Sequence, residues 1–172
     1  MSFVQRLFGR PPERQAMIPL YETVVRLGRD PAWYREGGVP DTLEGRFDML
    51  ATVLALVLLR LEAEGEPARR PSALLTELFS DDMDSTMREL GAGDMVVGKK
   101  VGKLMGALGG RLGSLREAAG DAGAFQAAVR RNLFRDAPPD EDKVALVAER
   151  LIALRGRLGT TLLAALLAGE VA

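Results

Sequence analysis

From Met49 to Leu59 the chain carries no charged side chain, and Arg60 closes the run. At about 1.5 Å of rise per residue this is well short of the ~20 residues that cross a bilayer. Its register is helical. Leu43, Phe47, Leu50, Leu54, Val57 and Leu61 recur at three and four residues, while Ala51, Val53, Ala55, Leu56 and Leu59 cover the other faces. A helix that is apolar on every side needs other helices around it, so the segment at about 42–64 is read as the centre of a bundle.

The rest of the chain supplies the surrounding helices and almost no strand signal. Met17, Leu20, Tyr21, Val24 and Leu27 form one stripe that ends at Gly28. Asp30 with Pro31 predicts a capped turn carrying Trp33 and Tyr34. Gly37-Gly38-Val39-Pro40 reads as a loop, and Asp41 with Glu44 as the capping box of the central helix. A charged linker is expected over Glu62 to Arg70. Ser72 then caps a helix with Leu75, Phe79, Met83, Met87 and Leu90 inward, closed by Gly91 in a left-handed cap.

Asp94 opens a helix rich in glycine (Gly98, Gly102, Gly106, Gly109, Gly110, Gly113), each costing about 1 kcal/mol of helix propensity against Ala. Either neighbours pack closely there, or this is the loosest part of the molecule. Asp121 caps a helix with Phe125, Val129 and Leu133, Pro138-Pro139 breaks it, and Asp140 begins the last one. Gly159 is expected to bend that helix before a final apolar turn. The expected architecture is all-α, a single-domain bundle of six to seven helices over 13–172, preceded by an amphipathic arm over 1–12.

With 172 residues, 47% of them hydrophobic and 27% charged, the chain is long enough to bury one sizeable core. A formal net charge of -1 speaks against bulk attraction to nucleic acid, and no sequence-specific nucleic-acid partner is expected. There is no cysteine and no histidine. Thiol chemistry, the usual neutral-pH acid/base, and the commonest zinc and haem ligands are thereby removed. No catalytic residue, metal ligand or cofactor is expected. The first ten residues pair Phe3, Val4, Leu7 and Phe8 with Arg6 and Arg10 but lack a continuous apolar core and a small-residue cleavage site, so they do not read as a secretory signal. A cytoplasmic location follows as the expectation, with peripheral contact at the inner membrane through this arm left open. Heavy use of Ala, Arg, Gly and Leu fits a GC-rich bacterial source.

Three short motifs invite chemistry. Asp82-Met83-Asp84-Ser85-Thr86 matches a phosphotransferase nucleophile pattern, but that pattern follows a buried strand, and here it lies in a helix. Asp81, Asp82 and Asp84 resemble the magnesium-holding acids of helical isoprenoid synthases, without a convincing second acidic motif. Gly93 to Lys100 nearly spells a phosphate loop, yet Lys100 stands where Ser or Thr would ligate magnesium.

Charge layout says more. Residues 76–94 carry six acids against Arg88, and residues 95–116 carry Lys99, Lys100, Lys103, Arg111 and Arg116 with no acid. The two stretches read either as complementary solvated faces or as a bipolar docking surface. Asp84 and Arg88, one turn apart, should pair in either case. Tyr21, Trp33 and Tyr34 are the only Tyr and Trp residues, suited to the core or, if exposed, to anchoring a partner.

These segments resemble the ubiquinol–cytochrome c chaperone family. The resemblance is carried by Leu20-Tyr21, Pro31-Ala32-Trp33-Tyr34, Gly38-Val39-Pro40-Asp41-Thr42 and Gly45-Arg46-Phe47-Asp48. Its strongest part runs through Leu78-Phe79, Asp82-Met83-Asp84, Met87-Arg88-Glu89-Leu90-Gly91, Gly93-Asp94 and Val97-Gly98-Lys99-Lys100, with Arg131-Asn132-Leu133 later. The chain has Leu54-Ala55-Leu56 and Leu108-Gly109 where members often carry a histidine and aromatic residues.

The resemblance implies an all-helical chaperone without catalytic activity that binds newly made cytochrome b, or another apolar client, during assembly of respiratory complex III. In mitochondrial relatives it implies contact with the ribosomal tunnel exit and a small partner protein. Tyr21, Trp33, Tyr34, Asp41, Arg46, Asp82, Asp84, Arg88, Asp94, Lys99, Lys100 and Lys103 become the candidate partner-binding residues. The expected groove is bordered by Trp33, Tyr34 and the Gly-rich helix, with the three lysines steering anionic or ribosomal contacts. The alternatives are a magnesium-dependent helical enzyme acting on a prenyl diphosphate through Asp81, Asp82 and Asp84, or a generic helical adaptor.

Overall fold

The computed structural model describes residues 12–91, 93–135 and 139–171, so most of the amphipathic arm and part of the Pro138-Pro139 break lie outside the described residues. Among the described residues every regular element is helical: α1 (Pro12–Ala16), α2 (Ile18–Gly28), α3 (Pro31–Arg35), α4 (Leu43–Ala63), α5 (Glu66–Glu89), α6 (Asp94–Glu117), α7 (Ala122–Val129), α8 (Glu141–Thr160) and α9 (Leu163–Leu167). A π turn over Arg130–Phe134 prolongs α7. No described helix is long and apolar enough to cross a membrane.

Helix α4 is the expected central element. Every residue from Phe47 to Leu58 is buried, and α2, α5, α6, α8 and the π turn pack around it. Burying each large side chain of this run stabilises the fold by about 1.5–3 kcal/mol before the entropy of ordering is subtracted. Its start lies one residue later than the sequence suggests. Thr42, not Asp41, caps the helix, because its Oγ1 accepts the Gly45 N–H at 3.1 Å. Asp41 is turned outward to Arg46 instead, at 2.6 Å.

The loop before α4 explains the glycines there. A Cβ on Gly45 would run into the Pro40 carbonyl oxygen, and Gly38 holds φ at +68°, a region side chains disfavour. At the other end, Arg60 donates to the carbonyls of Leu158 and Thr161 at 2.8 and 3.0 Å. It thereby satisfies acceptors that the end of α8 leaves open.

One further expectation needs correction, and one of two alternatives left by the sequence is excluded. The linker expected over Glu62 to Arg70 is short, because α5 already begins at Glu66 and runs through Pro71, and Ser72 caps nothing. Pro71 removes one donor close to the helix start, next to the exposed Pro67, while fully buried Ala68 holds that first turn against the core. The glycines of α6 are not sites of close packing: a Cβ on Gly98, Gly102, Gly106, Gly109, Gly110 or Gly113 would meet nothing within 4 Å. These residues ride on the outer side, while Val97, Leu108 and Leu115 face the core.

The caps at Asp30, Gly91 and Asp121 are as expected: Asp30 and Asp121 accept the N–H groups of Ala32 and Ala124 at 2.9 Å, and Gly91 has φ +80°. Helix α8 ends at Thr160, beside Gly159, and the chain turns into α9.

Candidate functional site

Where α3 and the start of α4 meet the end of α5, they leave a cleft of about 580 Å³. Its floor is Pro31, Leu43, Phe47, Leu50 and Met83; Thr86 and Tyr34 add hydroxyls; Arg29, Arg35, Arg46 and Asp41 stand around the mouth. Sequence order puts these residues far apart. The Asp30 cap turns α3 across the end of α2, and the tight loop at Gly38-Val39-Pro40 brings α4 back beneath it, with Val39 N–H bonded to the Trp33 carbonyl at 3.0 Å.

Electrostatics at the mouth favour a negative guest. Arg46 engages Asp41 at 2.6 Å and holds that carboxyl below its usual range. Arg29 and Arg35 are exposed and have no ion pair among the described residues. Tyr34 donates its O–H to the Gly28 carbonyl at 2.8 Å, and burial pushes its phenol above the ordinary value, partly opposed by Arg46. It stays neutral and rigid. An apolar floor under an arginine rim can take an apolar side chain flanked by an acid.

Of the candidates singled out from sequence, Tyr34, Asp41 and Arg46 come together in this cleft. Trp33 does not join them. It is 7% exposed, and its Nε1–H donates to the Leu27 carbonyl at 2.7 Å, so it props α3 on α2. Neither Trp33 nor the Gly-rich helix lines the cleft; its far wall is the acid-rich helix α5.

Tyr21 and Asp82 form a latch from α2 to α5, O–H to carboxylate at 2.6 Å. Burial, then this bond to a carboxylate, raises the Tyr21 phenol far above its ordinary range. Arg88 bridges Asp84, at 2.6 Å, and Asp94 across the junction of α5 and α6, which raises its own proton affinity. Lys99, Lys100 and Lys103 stand exposed on α6.

Asp81 pairs with Arg14, so Asp81, Asp82 and Asp84 turn to three different partners. Among the described residues no three acidic side chains converge as they would to share a cation.

Sequence reading missed the polar knot under the cleft. Asp48, in the buried stretch of α4 just before its apolar run, pairs with Arg111 of α6, their side chains 7% and 3% exposed. Arg135 adds a second cation to Asp48 at 2.8 Å. Arg111 also donates to the Asn132 carbonyl at 3.2 Å, and Asn132 donates to Ser114 Oγ and the Ala128 carbonyl at 3.0 and 2.9 Å. Burial pulls the proton affinity of Arg111 below its ordinary value, against the attraction of Asp48. The available signal was an acid directly at the start of the uncharged run, between Phe47 and Met49. Arg29, Arg35, Leu43, Met83 and Thr86 were missed because only the crossing of three helices assembles them.

The fold thus sets an apolar cleft under a largely cationic rim, beside a helix whose Asp81, Asp82 and Asp84 are each engaged by a partner within the chain. The family model described as Ubiquinol-cytochrome C chaperone matches residues 35–172, and the chain belongs to that family. It is similar over 99% of its length to the protein in the crystal structure of the Cbp3 homolog from Brucella abortus, with 30% identity, 96% of that chain covered and a TM-score of 0.80. No curated protein matches it. A chaperone role in assembly of the ubiquinol–cytochrome c complex is supported by both likenesses.

Proposed function

We propose that this chaperone binds newly made cytochrome b and holds an apolar segment of it in the cleft between α3, α4 and α5 until the subunit is assembled, without catalysing a reaction. The observation that carries the reading is the cleft itself: Leu43, Phe47, Leu50 and Met83 present apolar surface, and Arg29 and Arg35 have no acidic partner among the described residues. Leu43 is 45% exposed there, an apolar side chain left open in the first turn of α4. Membrane-protein segments bordered by an acid match that surface in both polarity and charge.

The client meets the chaperone at the inner membrane or as it leaves the ribosome. A chain without cysteine and histidine offers poor haem ligands, so its part is to shield helices rather than to deliver haem. The test is a photo-crosslinking side chain at Leu43 or Thr86, with Arg157 as an exposed control on α8. Cytochrome b should be captured from the cleft positions during its synthesis and not from the control. Its absence from every cleft position, with normal complex III levels in a deletion strain, would refute the proposal.

A further inference from the structure

Five large apolar residues stand exposed among the described residues, and three of them, Leu90, Met95 and Val96, lie at the junction of α5 and α6. Met95 is 93% exposed, Leu90 59% and Val96 48%. The α6 residues share their surroundings with cations. At 100° per residue, Met95, Lys99, Lys103, Val96 and Lys100 fall within about 140° of arc, clear of the buried Val97, Leu108 and Leu115 by about 60° at its nearer edge. No acidic residue occurs between Met95 and Arg116. Of the two acids that flank the corner, Asp94 is engaged by Arg88, and Glu89, exposed beside Leu90, accepts from Ser85 at 3.5 Å, so the cationic character lies on the α6 side. No ion pair among the described residues reaches Lys99, Lys100 or Lys103.

We infer that this corner is a membrane-docking surface for anionic lipid, with Leu90, Met95 and Val96 entering the headgroup layer and the three lysines meeting phosphates. Aliphatic side chains set beside flexible lysines fit a lipid interface, where apolar tips insert and long cationic side chains reach back to the headgroups. A nucleic acid would instead be met by stacking rings and arginines, and the described face carries none at this end of α6. The outward glycines leave the helix side low, so little bulk keeps the lysines from the bilayer plane. The α6 part of the corner adds no residue to the cleft lining, Leu90 lies one helical turn beyond Thr86 of that lining, and the corner places the chaperone where an apolar client enters the bilayer.

The experiment is vesicle flotation of the full chain with phosphatidylcholine alone and with phosphatidylglycerol added, at low and high salt. The parent should float with the anionic vesicles and weaken as salt rises. Each lysine at such a surface is worth about a five-fold change, so Lys99→Gln/Lys100→Gln/Lys103→Gln should lower partitioning on the order of 100-fold. Met95→Ser/Val96→Ser should lower it about ten-fold and abolish the binding that resists salt. All five positions are exposed, so the variants keep their helicity by circular dichroism. An Arg26→Gln/Arg69→Gln/Arg157→Gln variant removes the same number of positive charges at exposed positions elsewhere and should float like the parent. Parent-like flotation of the triple lysine variant, absence of binding to anionic vesicles, or retention by RNA that ignores Met95→Ser/Val96→Ser would each overturn the inference. None of these results bears on crosslinking from the cleft.

Discussion

Exchanging Asp48 for Asn keeps the side-chain shape and deletes one charge from the interior. Asp48 and Arg111 are almost fully shielded from solvent, so the loss is felt in a low-dielectric setting. Arg111 would keep only the Asn132 carbonyl at 3.2 Å as a partner beyond the amide, with its Nε already lacking one. Stranding a buried cation in this way costs about 3–5 kcal/mol. With a urea m-value of about 2 kcal/mol/M, the unfolding midpoint should fall by roughly 1.5–2.5 M.

The reverse change, Arg111→Met, should cost less, about 2 kcal/mol, because Arg135 still meets Asp48 at 2.8 Å and is half exposed. The double variant Asp48→Leu/Arg111→Met removes both charges and should recover most of the loss. Urea titrations followed by circular dichroism decide the matter. An Asp48→Asn midpoint within about 0.5 M of the parent at unchanged m, or a double variant weaker than either single one, would refute the argument that a buried pair, rather than packing, governs this site.

Glycine positions should respond with opposite signs. Gly102→Ala and Gly106→Ala have open space at the new Cβ and should each stabilise by about 1 kcal/mol, raising the melting temperature, whereas Gly45→Ala, which meets the Pro40 carbonyl, should cost about 3 kcal/mol. Tyr21→Phe loses a 2.6 Å bond to Asp82 and should cost about 1–2 kcal/mol in denaturant titrations near neutral pH. Because the folded Tyr21 phenol titrates above the unfolded value of 10.0, its stabilisation is intact below that pH and declines as pH rises past it. The loss of stability between about pH 10 and 11 should therefore be smaller in Tyr21→Phe than in the parent. Asp121→Ala removes the side-chain acceptor for Ala124 N–H and should lower stability by about 1 kcal/mol, measured the same way.

Local chemistry made much of the fold legible. Helical spacing identified α4 as the centre, and capping by Asp30, Gly91 and Asp121 follows from side-chain oxygens or a left-handed glycine a few bonds away. The pairing of Asp84 with Arg88 is equally local. The errors are instructive in the same terms. Thr42 and Asp41 can both cap, and the choice fell to Thr42 because Arg46 takes the Asp41 carboxylate. Glu62 to Arg70 looked like a linker because its composition is polar, yet the helix starts at Glu66 and its first turn is anchored in the core by the buried Ala68.

By itself, then, the order of residues determined an all-helical protein, a central apolar helix, and a side-chain inventory without thiol or imidazole, because periodicity, caps and composition act within a few turns of the chain. Which polar residues meet was decided only in three dimensions. Asp48 and Arg111 lie 63 positions apart, and Tyr21 and Asp82 lie 61 apart. Whether the glycines of α6 face a neighbour or open space was likewise set by which side of that helix the core occupies. The cleft has the same origin: helices of fixed length packing at an angle leave a gap whose walls no single segment contains.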